Sequence, residues 1–161
     1  PNGAFPMKLS RRSDYALRSL MGLVARRVSG EPVSVRELAE ENDIPPRFLE
    51  QILLDLKRAG IVSSVAGRDG GFLLAKPAEE ITLGQIIRHF DGVLAPIGCV
   101  STTHYEPCTQ ESRCRFRRVL LDIRNYIARR LDGLSLAEAY LGKPVEREEV
   151  FSPEFAYGEG I

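Results

Sequence analysis

No stretch of eighteen consecutive apolar residues occurs in the 161-residue chain, so no membrane-spanning helix is expected. No secretory signal pattern is present, which makes the cytoplasm the expected location. Net charge is also missing: 22 basic residues balance 22 acidic ones. A neutral protein that binds a polyanion must place its charge unevenly. The chain lacks an HExxH motif, a phosphate-cradling glycine loop and a Ser/His/Asp set, so it is not expected to be an enzyme. Cysteine is scarce at three residues, an odd number that argues against a disulfide framework. Repeats and low-complexity segments are lacking as well.

What charge there is lies in blocks. Seven arginines and one acidic residue, Asp122, fall between Arg113 and Arg130. Five glutamates and one basic residue, Arg147, fall between Glu146 and Glu159. Such runs are more commonly solvated helix faces than binding sites. Residues 1–6 read as a non-native leftover ahead of a start at Met7.

The pattern along the chain is mainly helical. Ser10 is placed to cap a first helix reaching about Arg27, with Ala16, Leu20, Leu23 and Val24 on one stripe. Ser34-Val35-Arg36-Glu37 is a capping box that opens a short second helix, ended at Asn42-Asp43-Ile44. Pro45 and Pro46 suit the first turn of a third helix, which carries Phe48, Leu49, Ile52, Leu53 and Leu56 on one face and stops at Gly60. Residues 61–65 and 72–74 read as two strands joined by the glycine-rich loop 66–71. Helix-turn-helix followed by a hairpin is the order of a winged helix. Thr82 is placed to cap a further helix bearing Leu83, Ile86, Ile87 and Phe90.

A long helix is expected from about Ser112 to Leu131, with Phe116, Leu120, Ile123, Ile127 and Leu131 at spacings of three and four. An apolar stripe outside the compact domain needs a partner. The symmetric solution is the same helix of a second chain, so Phe116, Leu120, Ile123 and Ile127 are candidate homodimer contacts. Docking of this helix onto its own domain is the alternative.

A recognition helix aims its N-terminal side chains at base edges in the major groove. Here these are Arg47, Glu50 and Gln51, with Pro46 and Phe48 at the entrance. Arginine pairs with guanine, glutamine with adenine, and glutamate accepts from cytosine. Phe48 suits the core better than DNA. Ser34 and Arg36 are candidates for phosphate contacts. Gly67 permits a tight wing turn, from which Arg68 can enter the minor groove.

Cys99, Cys108 and Cys114 lie within sixteen residues. Three clustered thiols in a loop suit a soft metal or an iron–sulfur cluster. Zinc held by these three and His104 competes, and so do three incidental thiols.

The chain resembles the Rrf-type winged-helix transcriptional regulators, the IscR/NsrR/RirA-like iron–sulfur regulators. The resemblance spans Met7 to about Leu141. It rests on 7–10 leading to 14–17, on 44–52, on 56–62, on 65–72, and on the three-cysteine loop followed by a long helix. It implies a homodimer on a pseudo-palindromic site in double-stranded promoter DNA. It also implies an iron–sulfur cluster on Cys99, Cys108 and Cys114, 4Fe–4S rather than 2Fe–2S, which an aerobic preparation can lose. In one branch of the family an aspartate seven residues after the initiating methionine, supplied by the other subunit, completes the ligand set, and Asp14 matches it. Another branch uses a histidine three residues beyond the last cysteine, where this chain has Arg117. Several members carry arginine just before the wing glycine. Here that residue is Ala66, which leaves the minor-groove role to Arg68. Asp14 otherwise reads as a first-turn carboxylate favoured by the helix dipole.

The expected layout is a winged helix-turn-helix domain over 7–91 and a cysteine loop over 92–114. A dimerisation helix with a short C-terminal helix follows over 115–141, then an acidic flexible tail over 142–161. The expected function is a transcriptional regulator, a repressor, that senses redox state, iron or nitric oxide. The alternative is a cluster-free or zinc-containing regulator answering a small molecule or partner protein, and a zinc-stabilised interaction module stands further off.

Overall fold

The computed structural model describes residues 8–151. The expected leftover at 1–6, the start at Met7 and the last ten residues of the acidic tail lie outside the described residues. Helix α1 spans Arg11–Ala25, and the Ser10 hydroxyl accepts from the Ser13 N–H at 3.2 Å, as its cap position predicts. Helix α2 spans Val35–Asn42. Its capping box is complete: Ser34 Oγ accepts from Glu37 N–H at 3.2 Å, and Glu37 accepts from Ser34 N–H at 3.1 Å. Asp43 ends it in the left-handed conformation, φ 53°, a position short polar side chains tolerate. Helix α3 spans Pro46–Arg58 with Pro46 at its first position.

Strands β1, Val62–Val65, and β2, Gly71–Leu74, pair antiparallel with Val62 opposite Leu74 and Val65 opposite Gly71. Gly67 turns the tip at φ +113°, a backbone that side chains rarely adopt. One contact had no sequence signal. Val33, just before α2, bridges Phe72 through two backbone hydrogen bonds of 2.9 and 2.8 Å, giving the wing a third strand at one point. Gly71 makes room for it, since a Cβ there would lie 2.3 Å from the Val33 carbonyl oxygen.

Helix α4, Leu83–Asp91, starts from the Thr82 cap. A loop with one 3-10 turn at Gly98–Val100 carries the cysteines. Helix α5 spans Arg117–Asp132, five residues later at its start than the periodicity predicts. Residues 112–116 stay in turns because the cysteine segment closes on itself: the N–H groups of Arg113 and Cys114 both donate to the Gln110 carbonyl, at 3.0 and 2.8 Å. Helix α6 spans Leu136–Leu141 and a last turn, α7, Arg147–Val150.

One core gathers α1 to α4, the wing and α6. Leu20, Leu38, Leu49, Leu53, Leu56, Ile81 and Leu136 are fully buried in it. Helix α6 returns to this core because Leu83 N–H donates to the Leu134 carbonyl at 2.9 Å and Leu136 N–H to Ile81 at 2.8 Å. Helix α5 has no buried residue. No described helix is long and apolar enough to cross a membrane.

Candidate metal centre and nucleic-acid interface

The outer face of α3 follows from its burial. Leu49, Ile52, Leu53 and Leu56 face the core, and Arg47, Glu50 and Gln51 are exposed on the other side of the helix. Among the described residues Arg47 and Arg68 enter no ion pair, whereas Arg12, Arg18, Arg26, Arg36, Arg58, Arg88 and Arg117 each meet a carboxylate. Arg47 is exposed on α3, and Arg68 is exposed in the loop between the two strands. Pro46 is exposed at the helix start. Phe48 lies at the edge of the core, 38% exposed, with its ring edge-on to Tyr15 at 5.6 Å. Ser34 spends its hydroxyl on the cap, also donating to Glu37 at 2.9 Å. These bonds, the hydroxyl's first, hold the Glu37 carboxyl below its usual range. Arg36 is highly exposed and pairs with Glu40 at 2.8 Å. Lys57, which the sequence did not single out, bonds Ser64 of β1 and adds a positive charge between α3 and the wing.

The three thiols are free: Cys99 is buried, Cys114 half-buried and Cys108 exposed. All three line one pocket of about 390 Å³, together with Ile97, Phe116 and three arginines, Arg113, Arg115 and Arg117. Among the described residues no three His, Cys, Asp or Glu side chains gather as the ligands of a single metal ion. A zinc ion needs four donors within about 2.0–2.3 Å of one point. A cluster takes its thiolates on separate irons, so this donor set fits the larger group better. His104 does not line the thiol pocket. It lines a neighbouring one with Lys8, Ser10 and Asp91. Asp14 does not line the thiol pocket of its own chain either. It sits in the first turn of α1, half-exposed, paired with Arg18.

Glu111 is the residue that sequence reasoning missed. Its carboxylate accepts from the Tyr105 hydroxyl at 2.6 and 2.7 Å and from the Cys108 N–H at 3.0 Å, and it lies 3.3 Å from Arg117. The Tyr105 bond first, then the Cys108 amide, hold this carboxyl below its ordinary range. A signal existed, since Glu111 stands three residues after Cys108, the spacing of a capping box. Arg117 donates through Nε and Nη2 to the Cys99 carbonyl at 3.2 and 2.8 Å. The residue that departs from the histidine pattern therefore grips the backbone of a cysteine.

Helix α5 divides its apolar residues between two sides. Phe116, Val119, Ile123 and Tyr126 are exposed at spacings of three and four. Ile127, Ala128 and Leu131 face Gly84, Ile87 and Arg88 of α4 across a narrow cleft. Leu120 is half-buried. Of the four expected dimer contacts, Phe116 and Ile123 point outward and Ile127 points home. Val119 and Tyr126 extend the outward stripe.

Comparison with known proteins matches residues 9–140 to the Rrf2 family, described as an iron-dependent transcriptional regulator. The chain is similar to the HTH-type transcriptional repressor NsrR of Streptomyces coelicolor, 31% identical over 82% of this chain and 87% of that protein. It is similar to the HTH-type transcriptional regulator IscR of Aliivibrio salmonicida, 30% identical over 88% of this chain and 82% of that protein. Among solved structures, CymR, the global cysteine regulator of Bacillus subtilis, superposes with a TM-score of 0.72 at 27% identity, over 85% of this chain and 98% of that one.

Proposed function

The chain belongs to the Rrf2 family of transcriptional regulators, and on that footing we propose that it is a homodimeric repressor whose hold on promoter DNA is set by an iron–sulfur cluster on Cys99, Cys108 and Cys114. The observation that carries this reading is the single pocket walled by all three free thiols. When bound, the group supplies a change of charge and ligation in response to oxidant, iron supply or nitric oxide. The three cysteines hold it as thiolates, and Arg113, Arg115 and Arg117 offset the negative charge they bring. Asp14 of a second copy would be the fourth residue to hold it, in competition with its pairing to Arg18. A carboxylate is a harder, weaker donor to iron than a thiolate, so Asp14 would be the most weakly held of the four donors.

The loop is tied to the reading head by short contacts. The loop leaves from the end of α4, where the Asp91 carboxylate accepts from Ser10 N–H at the start of α1, 2.9 Å. Arg12 of α1 pairs with Asp55 of α3. Asp14 occupies the same turn of α1, so ligation there bears on the helix that holds α3. On DNA, Arg47, Glu50 and Gln51 read bases, Arg36 and Ser34 sit near phosphates, and Arg68 enters the minor groove from Gly67.

Anaerobic purification with iron, sulfide and zinc analysis tests the reading. A coloured protein with iron and sulfide is expected, lost in Cys99→Ala. Asp14→Ala is expected to keep the group but change its spectrum and uncouple it from DNA affinity. If His104→Ala disturbs the spectrum and Asp14→Ala does not, the fourth ligand is misassigned. The likeness to CymR favours a second reading, a cluster-free regulator answering a small molecule or partner protein. Protein purified without oxygen that contains neither iron nor sulfide selects that one.

A further inference from the structure

We propose that Tyr105, Glu111 and Arg117 are positioning residues that hold Cys99 and Cys108 in register with one another before any metal arrives. The cysteine loop is irregular, and an irregular loop of this length would ordinarily sample many arrangements. Here a continuous bracket crosses it. Arg117 joins the Cys99 carbonyl to the Glu111 carboxylate, and Glu111 joins Arg117 to the Cys108 amide and the Tyr105 hydroxyl. The Cys108 carbonyl in turn accepts from Glu111 N–H at 3.2 Å, and its sulfur lies 3.5 Å from the Gln110 N–H. Cys99 and Cys108 are thus linked through one guanidinium and one carboxylate, although neither residue is itself a ligand. The anchor is firm because Arg117 opens α5, so the bracket fastens the loop to a regular helix. Hydrogen bonds to charged groups are among the stronger ones in proteins, and both ends of the bracket use them.

The inference rests on the proposed cluster for its purpose, but the bracket is measurable without one. In metal-free protein, Arg117→Met and Glu111→Ala are expected to raise the alkylation rate of buried Cys99 by iodoacetamide about tenfold. They are also expected to speed amide exchange across 98–114, the Cys108 amide included, with the amides of α1 as the internal control. Glu111→Gln keeps an acceptor for Cys108 and Tyr105 but loses the charge facing Arg117, so it is expected to lie between wild type and Glu111→Ala. Winged-helix circular dichroism and melting are expected to stay unchanged, because the bracket lies outside the buried core. On anaerobic reconstitution with iron and sulfide, loading is expected to slow in the same order. Wild-type alkylation and exchange in both Arg117→Met and Glu111→Ala overturn the proposal, as does loading at the wild-type rate despite a loosened loop. Failure of the cluster reading has a different signature: wild type itself then takes up no iron or sulfide, while the alkylation order still reports the bracket.

Discussion

At the residue scale, some arginines are committed to joining one element to another. Arg12, Arg26 and Arg88 tie one element to another through Asp55, Glu41 and Asp132. Exposed pairs of this kind are worth little individually, so they orient elements more than they stabilise them. Arg47 and Arg68 have no such partner among the described residues and are the side chains proposed to meet DNA. Arg47→Ala or Gln51→Ala is expected to cost roughly 1–3 kcal/mol at the specific site and to relax base preference there. Arg36→Ala is expected to weaken specific and non-specific binding alike, because phosphates carry no sequence information. Titration of the three variants against matched and mismatched duplexes at several salt concentrations checks this. Wild-type affinity in the Arg47→Ala/Gln51→Ala double variant contradicts the docking. Of the residues that sequence reasoning passed over, Val33 acts through backbone atoms on a distant strand, whereas Glu111 and Lys57 bond groups three to seven residues away in irregular or hairpin chain. Side-chain type alone does not announce such roles.

At the element scale, α2 and α5 make opposite demands. Helix α2 has eight residues, too few to persist alone, so its ends matter. Ser34→Ala is expected to lower stability by about 1 kcal/mol at neutral pH, read by denaturant unfolding. The depressed Glu37 carboxyl adds a pH dependence of known sign. Its contribution is full above the ordinary glutamate range and fades as pH falls through the folded value. The gap between wild type and Ser34→Ala is therefore expected to narrow in acid; a gap that widens there refutes the box as its source. Helix α5 has no buried residue, and its two apolar sides allow a cleaner test than the stripe read as a whole. Ile123→Asp faces outward and is expected to give a folded monomer by light scattering, with weaker DNA binding from lost avidity. Ile127→Asp faces α4 and is expected to lower the melting temperature, since an unpaired carboxylate is placed in an apolar cleft. A stable dimer in Ile123→Asp removes α5 as the main interface.

At the scale of the whole molecule, α6 closes the winged helix from far along the chain. Leu136 is fully buried among residues of α1 and the segment before α4. Leu136→Ala is expected to cost about 2–5 kcal/mol, as much as a truncation within α3 such as Leu53→Ala. Equilibrium unfolding of the two variants side by side tests it, and a cost under about 1 kcal/mol for Leu136→Ala would show α6 to be an appendage. The expected layout put α6 with the dimerisation segment; Leu136 and Ala137 pack into the same core as α1 to α4 and the wing. Most of the architecture was legible in the sequence. Capping at Ser10, Ser34 and Thr82, proline at position 46 and the glycine-rich wing are local devices, whose physics acts over three or four residues and can be read in order. The late start of α5 was not legible, because its helical period runs back through Ser112 and only the turns closed on Gln110 override it. By itself the sequence determined the order of elements, the outward set Arg47, Glu50 and Gln51, and the presence of three thiols near one another. Only the tertiary structure decided that those thiols share one pocket, that His104 lines a different one, and that α5 is apolar on two sides. Those outcomes depend on contacts between segments many residues apart, and chain distance carries no information about which of them will meet.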